Sequence, residues 1–219
     1  MHIPDGFLSI ATCAVTGAVS AGTIGYSLRV VGRKLKERQV PLMGVLGAFI
    51  FAAQMLNFPI AGGTSGHLIG AALAAILLGP WAGALIMTCV LIVQCFIFQD
   101  GGIVALGANV LNMGIIASFA SYYIYRGVTS VLGQDRKYVL AGGFVAAWGS
   151  VFLASIACAI ELAVSGTSPF FVALSAMAGI HALIGIGEGL ITVAVLSFVL
   201  ASRADLMELA RAKEVRYEA

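Results

Sequence analysis

The chain holds three histidines, His2, His67 and His181, and two of them stand where metal chemistry is possible. His2 follows the terminal amine of Met1. The amine and the His2 amide nitrogen close a five-membered chelate ring. That amide and Nδ1 of the same imidazole close a six-membered ring. Three nitrogens then share a plane, and the amide must ionise. A planar nitrogen field of this kind points to Ni(II) or Cu(II). Zinc prefers a tetrahedral set, and Co(II) would enter with some distortion. One corner stays open, and His67 is the candidate to fill it. Histidine is too large a second residue to permit removal of Met1, so the amine is expected to stay in register. The methionine sulfur has no part in the chelate. Binding releases protons from the amine, the amide and any protonated imidazole, so metal affinity should fall steeply below about pH 6.5, near the model histidine value. The plainer readings remain open: any Met-His start binds Cu(II) or Ni(II) weakly, and an interfacial His67 also serves to cap or anchor a helix.

The elements that must position these groups are set by composition. The 219 residues are 60% hydrophobic and 10% charged, with a mean hydropathy of +1.02. A soluble chain carries roughly 25% charged residues. The apolar runs are continuous rather than alternating, which argues against an outer-membrane barrel. The expectation is an all-α, polytopic membrane bundle of about seven transmembrane helices, one of them short. A net charge of +2 gives no reason to expect nucleic acid. Cys13, Cys89, Cys95 and Cys158 all lie in apolar runs and form no C-x-x-C pair. They read as buried small residues. Met1–Ser9 has no basic stretch and carries Asp5, so it is not a signal peptide.

Seven apolar segments run at about 8–31, 41–56, 67–79, 81–98, 101–125, 138–164 and 169–201. The third, from His67, reaches only about 20 Å at ~1.5 Å per residue, short of a hydrocarbon core of about 30 Å. It is expected to be a partial helix shielded by its neighbours. Pro59 and the glycines of 57–66 make the preceding stretch a loop. Pro4, Asp5 and Gly6 form a turn signal that folds the N-terminus back into the bundle. All twelve Lys and Arg fall between segments one and two, between five and six, or after seven. With seven spans these stretches share one side. The chain thus reads as one integral membrane domain, 1–219, in the cell membrane, with an external N-terminus and a cytoplasmic tail over 202–219.

Polar groups inside spans are costly and point to function. Gln54, Gln94, Asn109, Asn112, Glu161, His181 and Glu188 qualify. Asn109 and Asn112 share a helix face and are placed to bond the histidines or their loop, or simply to join helices. His181 is either a ligand or a structural bond. Glu188 should be neutral or partnered, with a proton pathway as the other role. Glu161 lies near an outer end, where it reaches the interface. Gly17, Ala21 and Gly25, and again Gly44, Ala48 and Ala52, recur every fourth residue, a pattern that lets helices approach closely.

The opening Met1-His2-Ile3-Pro4-Asp5-Gly6-Phe7-Leu8 resembles the NikM/CbiM family, the nickel/cobalt substrate-capturing (S) components of energy-coupling factor transporters. The likeness continues in Gly66-His67, in Asn109-Val-Leu-Asn112-Met-Gly114 and in His181-Ala-Leu-Ile-Gly-Ile-Gly-Glu188-Gly. It implies import of Ni(2+) or Co(2+), with Met1, His2 and His67 as ligands. It also implies a transmembrane coupling subunit (the T component), separate cytoplasmic ATPase subunits and a small accessory membrane subunit as partners. The coupling protein would dock on small-residue helix surfaces, for which segment two is the better candidate. No Walker A sequence occurs in the chain, so ATP would be hydrolysed elsewhere. No cofactor and no enzymatic activity are expected. The competing reading is a self-sufficient permease driven by an ion gradient, with Glu188 and His181 as proton sites.

Overall fold

The structure is a computed structural model and describes residues 1–34, 39–203 and 206. The basic residues Lys36, Arg38, Arg211, Lys213 and Arg216 lie outside the described residues, as does most of the 202–219 tail.

The elements are α1 (Ile10–Lys34), α2 (Val40–Gln54), β1 (Phe58–Pro59), β2 (Ser65–Gly66), α3 (Ala71–Leu78), α4 (Pro80–Phe98), α5 (Leu106–Asn109), α6 (Ala117–Leu132), α7 (Arg136–Val164) and α8 (Phe170–Ser202). Helix α5 passes through a π-helical stretch, Val110–Ile116, into α6 without leaving helical backbone angles. Among the described residues this makes seven helical rods, one for each apolar segment. Helices α4, α7 and α8 are each long and apolar enough to cross a bilayer, and the chain is a multi-pass, all-α membrane protein.

Close helix contact rests on small residues. A Cβ at Gly185 or Gly189 of α8 would lie 2.9 Å from Trp148 or 2.6 Å from Phe144 of α7. The α1 stripe packs only at its first member. A Cβ at Gly107 would stand 2.5 Å from the Gly17 Cα, whereas Ala21 and Gly25 are exposed. The α2 stripe faces outward altogether: Gly44, Ala48 and Ala52 are exposed. Gly44 and Ala48 line a groove of about 460 Å³ between α2 and α4.

The short segment departs from the expected helix from His67. Residues 67–70 have no regular secondary structure, and helix begins only at Ala71. Gly70 has φ +80°, and a Cβ there would stand 2.8 Å from Ile50. All eight residues of α3 are buried, as a partial helix at membrane depth requires. The loop before it contains a minimal antiparallel pairing of β1 with β2, Phe58 opposite Gly66 and Pro59 opposite Ser65.

The stretches 1–9, 55–66, 99–105 and 165–169 meet at one end of the bundle. Asn57 donates to Asp100 at 2.8 Å, the Thr167 hydroxyl donates to the Phe7 carbonyl, and Ser168 donates to the Gly62 carbonyl at 3.3 Å. Arg33, Arg136, Lys137 and Arg203 stand at the opposite helix ends.

Candidate metal centre

The N-terminus is threaded into the loop cluster. Gly6, at φ +86°, turns the chain, and the Phe7 amide donates to the Pro4 carbonyl at 3.4 Å. The Asp5 carboxylate accepts the Ile103, Val104 and Ala105 amides at 3.1, 2.8 and 3.3 Å. It thereby satisfies the amides of the turn that leads into α5. The turn signal in the sequence is therefore matched by a structural clamp. Ile3 is held on both sides of its backbone. Its amide donates to Asn109 Oδ1 at 2.8 Å, and its carbonyl accepts from Asn109 Nδ2 at 3.1 Å and from the Gly102 amide at 2.9 Å.

This places Met1, fully buried, and His2, 4% exposed, beside His67, 2% exposed. The His2 and His67 rings stack with centroids 4.4 Å apart and planes 23° apart. The Met1 amine and the His2 amide converge on one atom: both donate to Ser65 Oγ, at 2.8 and 2.9 Å. His67 Nδ1 donates to the Leu68 carbonyl at 2.6 Å, so its Nε2 carries the lone pair. That Nε2 and His2 Nδ1 are both buried without a hydrogen-bond partner. Asp100 Oδ1 lies 3.2 Å from His2 Nδ1, close but out of hydrogen-bond alignment.

Burial sets the protonation of this end. Desolvation brings the Met1 amine down from 8.0 to about 4. Desolvation, followed by the nearby amine charge, brings His2 down from 6.5 to about 3, against the opposing hydrogen bond to the Gln94 side-chain oxygen. Burial raises the Asp100 carboxyl. At neutral pH the amine and the imidazole are therefore free bases. A buried amine, an amide and two partnerless imidazole nitrogens form a donor set that fits a divalent ion. Among the described residues no group of three or more His, Cys, Asp or Glu side chains comes together to hold a metal, so a site here has to draw on backbone nitrogen.

The other intramembrane polar residues divide by role. Asn109 holds the N-terminal strand rather than a histidine ring. Asn112 does not approach the histidines: its Nδ2 donates to Glu161 at 2.7 Å. Glu161, expected to reach the interface, is instead buried against that amide. His181 Nδ1 donates to the Met177 carbonyl one turn earlier at 2.7 Å, and its Nε2 is partnerless. Glu188 accepts the Ile69 and Gly70 amides at 2.5 and 2.6 Å. Gln54 donates to the Ile69 carbonyl at 2.6 Å. Together they satisfy irregular backbone that a membrane interior would otherwise leave unpaired.

Sequence reading missed Ser65, Asp100 and Asn57. Asp100 carried a signal, a charge followed by two glycines at the end of an apolar run. Ser65 carried none, since one hydroxyl in a glycine-rich loop is unremarkable.

Residues 2–206 match the CbiM family, described as a cobalt uptake substrate-specific transmembrane region. The chain is 46% identical over 211 residues to a putative fused nickel transport protein, NikMN, of Archaeoglobus fulgidus, covering 95% of this chain and 68% of that protein. It is 31% identical over 211 residues to a putative cobalt transport protein, CbiM, of Methanococcus voltae, covering 95% of each. Its fold is similar to the crystal structure of a truncated transition metal transporter, with a TM-score of 0.84 and 39% identity over 92% of this chain and 99% of that one.

Proposed function

The chain belongs to the CbiM family of substrate-specific transmembrane regions for metal uptake, and on that premise we propose that it captures one Ni(2+) or Co(2+) ion through the Met1 amine, the His2 amide, His2 Nδ1 and His67 Nε2. The observation that carries this reading is the convergence of the two backbone nitrogens on Ser65 Oγ beside two buried, partnerless imidazole nitrogens. Ser65 marks the direction in which the amine and amide are aimed, and its hydroxyl is the group an ion would displace. Four nitrogens in this arrangement favour square-planar Ni(II). The amide proton is the one that must leave, because burial already holds the amine and imidazole neutral.

In this reading the captured ion faces the outside, opposite the basic helix ends. Energy comes from a transmembrane coupling subunit and cytoplasmic ATPases, since the chain has no Walker A sequence. Relatives named as fused nickel transport proteins extend beyond the region this chain matches, which supports an accessory membrane segment as a further partner. The permease alternative assigned Glu188 a proton-carrying role. Both of its carboxylate oxygens are engaged by backbone amides, a structural duty that weighs against it.

The test is His67→Ala in the full chain, read by Ni(II) competition and by the electronic spectrum of the bound ion. Affinity should drop by more than the roughly 10–100-fold that loss of an outer partner costs, leaving a weak three-nitrogen spectrum. Parental affinity in His67→Ala would remove His67 from the ligand set. Transport by the purified chain in vesicles without ATPases would instead establish the permease.

A further inference from the structure

A row of hydrogen bonds joins His2 to a peptide carbonyl in the irregular stretch 67–70, and that carbonyl fixes the direction of every bond in the row. The Ile69 oxygen can only accept, so the Gln54 atom 2.6 Å away is its amide nitrogen. Gln54 Oε1 is thereby turned towards Gln94, whose nitrogen must donate to it, at 2.9 Å. Gln94 then has only Oε1 to offer His2 Nε2, 3.0 Å away. A carboxamide oxygen does not donate, so Nε2 carries the hydrogen and Nδ1 carries the lone pair. Gln54, Gln94 and Ile69 are fully buried, which leaves no water to reverse a link. Amide and imidazole orientations follow from such networks, and this one ends on an atom with a single possible role.

We propose that Gln54 and Gln94 are tautomer-setting residues, which hold the hydrogen of His2 on Nε2 and present Nδ1 to the arriving ion as a ready donor. The inference rests on the reading of Nδ1 as a ligand. A histidine that binds metal through one nitrogen usually donates from the other to a carbonyl or carboxylate, which fixes its tautomer. His67 does so directly, through the Leu68 carbonyl. His2 does so at two removes, through two carboxamides to the Ile69 carbonyl. The row is needed because an opposing group is present. Asp100 Oδ1, 3.2 Å from Nδ1, favours a hydrogen on the nitrogen that the chelate ring requires bare. The stretch that carries His67 therefore also sets the state of His2, so both imidazoles are prepared by one segment of chain.

The experiment uses the full chain, with histidines labelled in ¹⁵N, in nanodiscs without metal, because imidazole ¹⁵N shifts distinguish the two tautomers. Wild type should show hydrogen on Nε2 of His2 and on Nδ1 of His67. Gln54→Leu touches neither histidine but frees the Gln94 carboxamide to rotate. His2 should then shift measurably towards the Nδ1–H form while His67 stays as it was, and Ni(II) affinity should fall by roughly 10–100-fold, as for other outer partners. Gln54→Glu, as the neutral acid, can donate to the Ile69 carbonyl and still accept from Gln94, and should retain the Nε2–H form. If Gln54→Leu does not fold, Gln94→Met removes the acceptor itself and should give the same shift. Hydrogen on Nδ1 in wild type, or an unchanged tautomer in a folded Gln54→Leu or Gln94→Met chain, overturns the proposal. The tautomer is read without metal. A wild-type chain that shows Nε2–H on His2, loses it in the variants and yet binds no Ni(II) therefore refutes the ligand reading and leaves the tautomer assignment standing.

Discussion

Asn109 grips Ile3 as a neighbouring strand would, with its carboxamide oxygen accepting the Ile3 amide at 2.8 Å and its nitrogen donating to the Ile3 carbonyl at 3.1 Å. The site depends on this pair, because residues 1–3 have no regular structure of their own to hold them. Asn109→Ala removes two buried hydrogen bonds, each worth about 1 kcal/mol net and more where a partner is left unpaired. Ni(II) affinity should fall by roughly 10–100-fold, since about 1.4 kcal/mol is tenfold. Asn109→Asp retains the acceptor and should lose less. Equilibrium competition with a metal chelator measures both.

Burial alters the pH dependence that free-peptide values suggest. The amine and His2 are held near 4 and 3 rather than 8.0 and 6.5, so above about pH 5 only the amide proton has to leave. Affinity should change about tenfold per pH unit between pH 5 and 8, as release of one proton requires. It should show no break at pH 6.5 and should steepen only near pH 4. Calorimetry in buffers of different ionisation heat counts the protons directly, and two or three released at pH 7 would mean that the amine is not buried. The unloaded chain follows the same sign. The unfolded state binds the extra protons between the two sets of values, so stability of the unloaded chain should decline as pH falls through that window.

The chelate register can be shifted by one residue. An alanine inserted between Met1 and His2 permits methionine removal and yields an Ala-His start with the same two rings. The bound-ion spectrum should be preserved. Affinity should nevertheless fall, because the Met1 side chain is fully buried in the core and its loss leaves a cavity costing about 2–5 kcal/mol. An inserted leucine yields Met-Leu-His, whose own amine, amides and imidazole can fill the plane without His67. The spectrum should change and uptake should fail. Mass spectrometry establishes each N-terminus, and indistinguishable spectra would exclude the N-terminal chelate.

Ala48 and Ala52 test the outer stripe of α2. Both are exposed, and Ala48 lines the groove against α4, so leucine enters without displacing core. Ala48→Leu and Ala52→Leu should leave Ni(II) binding intact while uptake with coupling subunits and ATP drops. Joint loss of binding and uptake would place the stripe in the fold's own packing.

The rods were legible because each needs an apolar run bounded by charge, proline or glycine, and those boundaries are local. That His2 and His67 lie side by side was legible because the first two residues can close two chelate rings and leave one corner for a third group. What was not legible depends on distant partners. His67 looked like the start of a helix, yet residues 67–70 stay outside the helix, where Gln54 and Glu188 supply the hydrogen bonds that a helix would have made. Asn112 looked like a companion of the histidines, since it shares a helix face with Asn109. The neighbouring helix puts Glu161 beside it instead. Gln94 gave no local sign that it reaches His2, because nothing in either segment encodes which faces of α4 and the N-terminal strand meet.

The enclosure of Met1 bears on how this protein can be handled. Its amine ends on Ser65 in a space with no exposed surface, so nothing can be appended there without pulling the strand out of the bundle. If the Met1 amine is a ligand as proposed, an affinity tag, a fluorescent fusion or a chemical label at that end should abolish metal capture, however flexible its linker. A silent result from such a preparation would describe the tag. Handles belong at the far end of α8, and amine-reactive dyes should spare the N-terminus of the folded chain while reaching it once the chain is denatured.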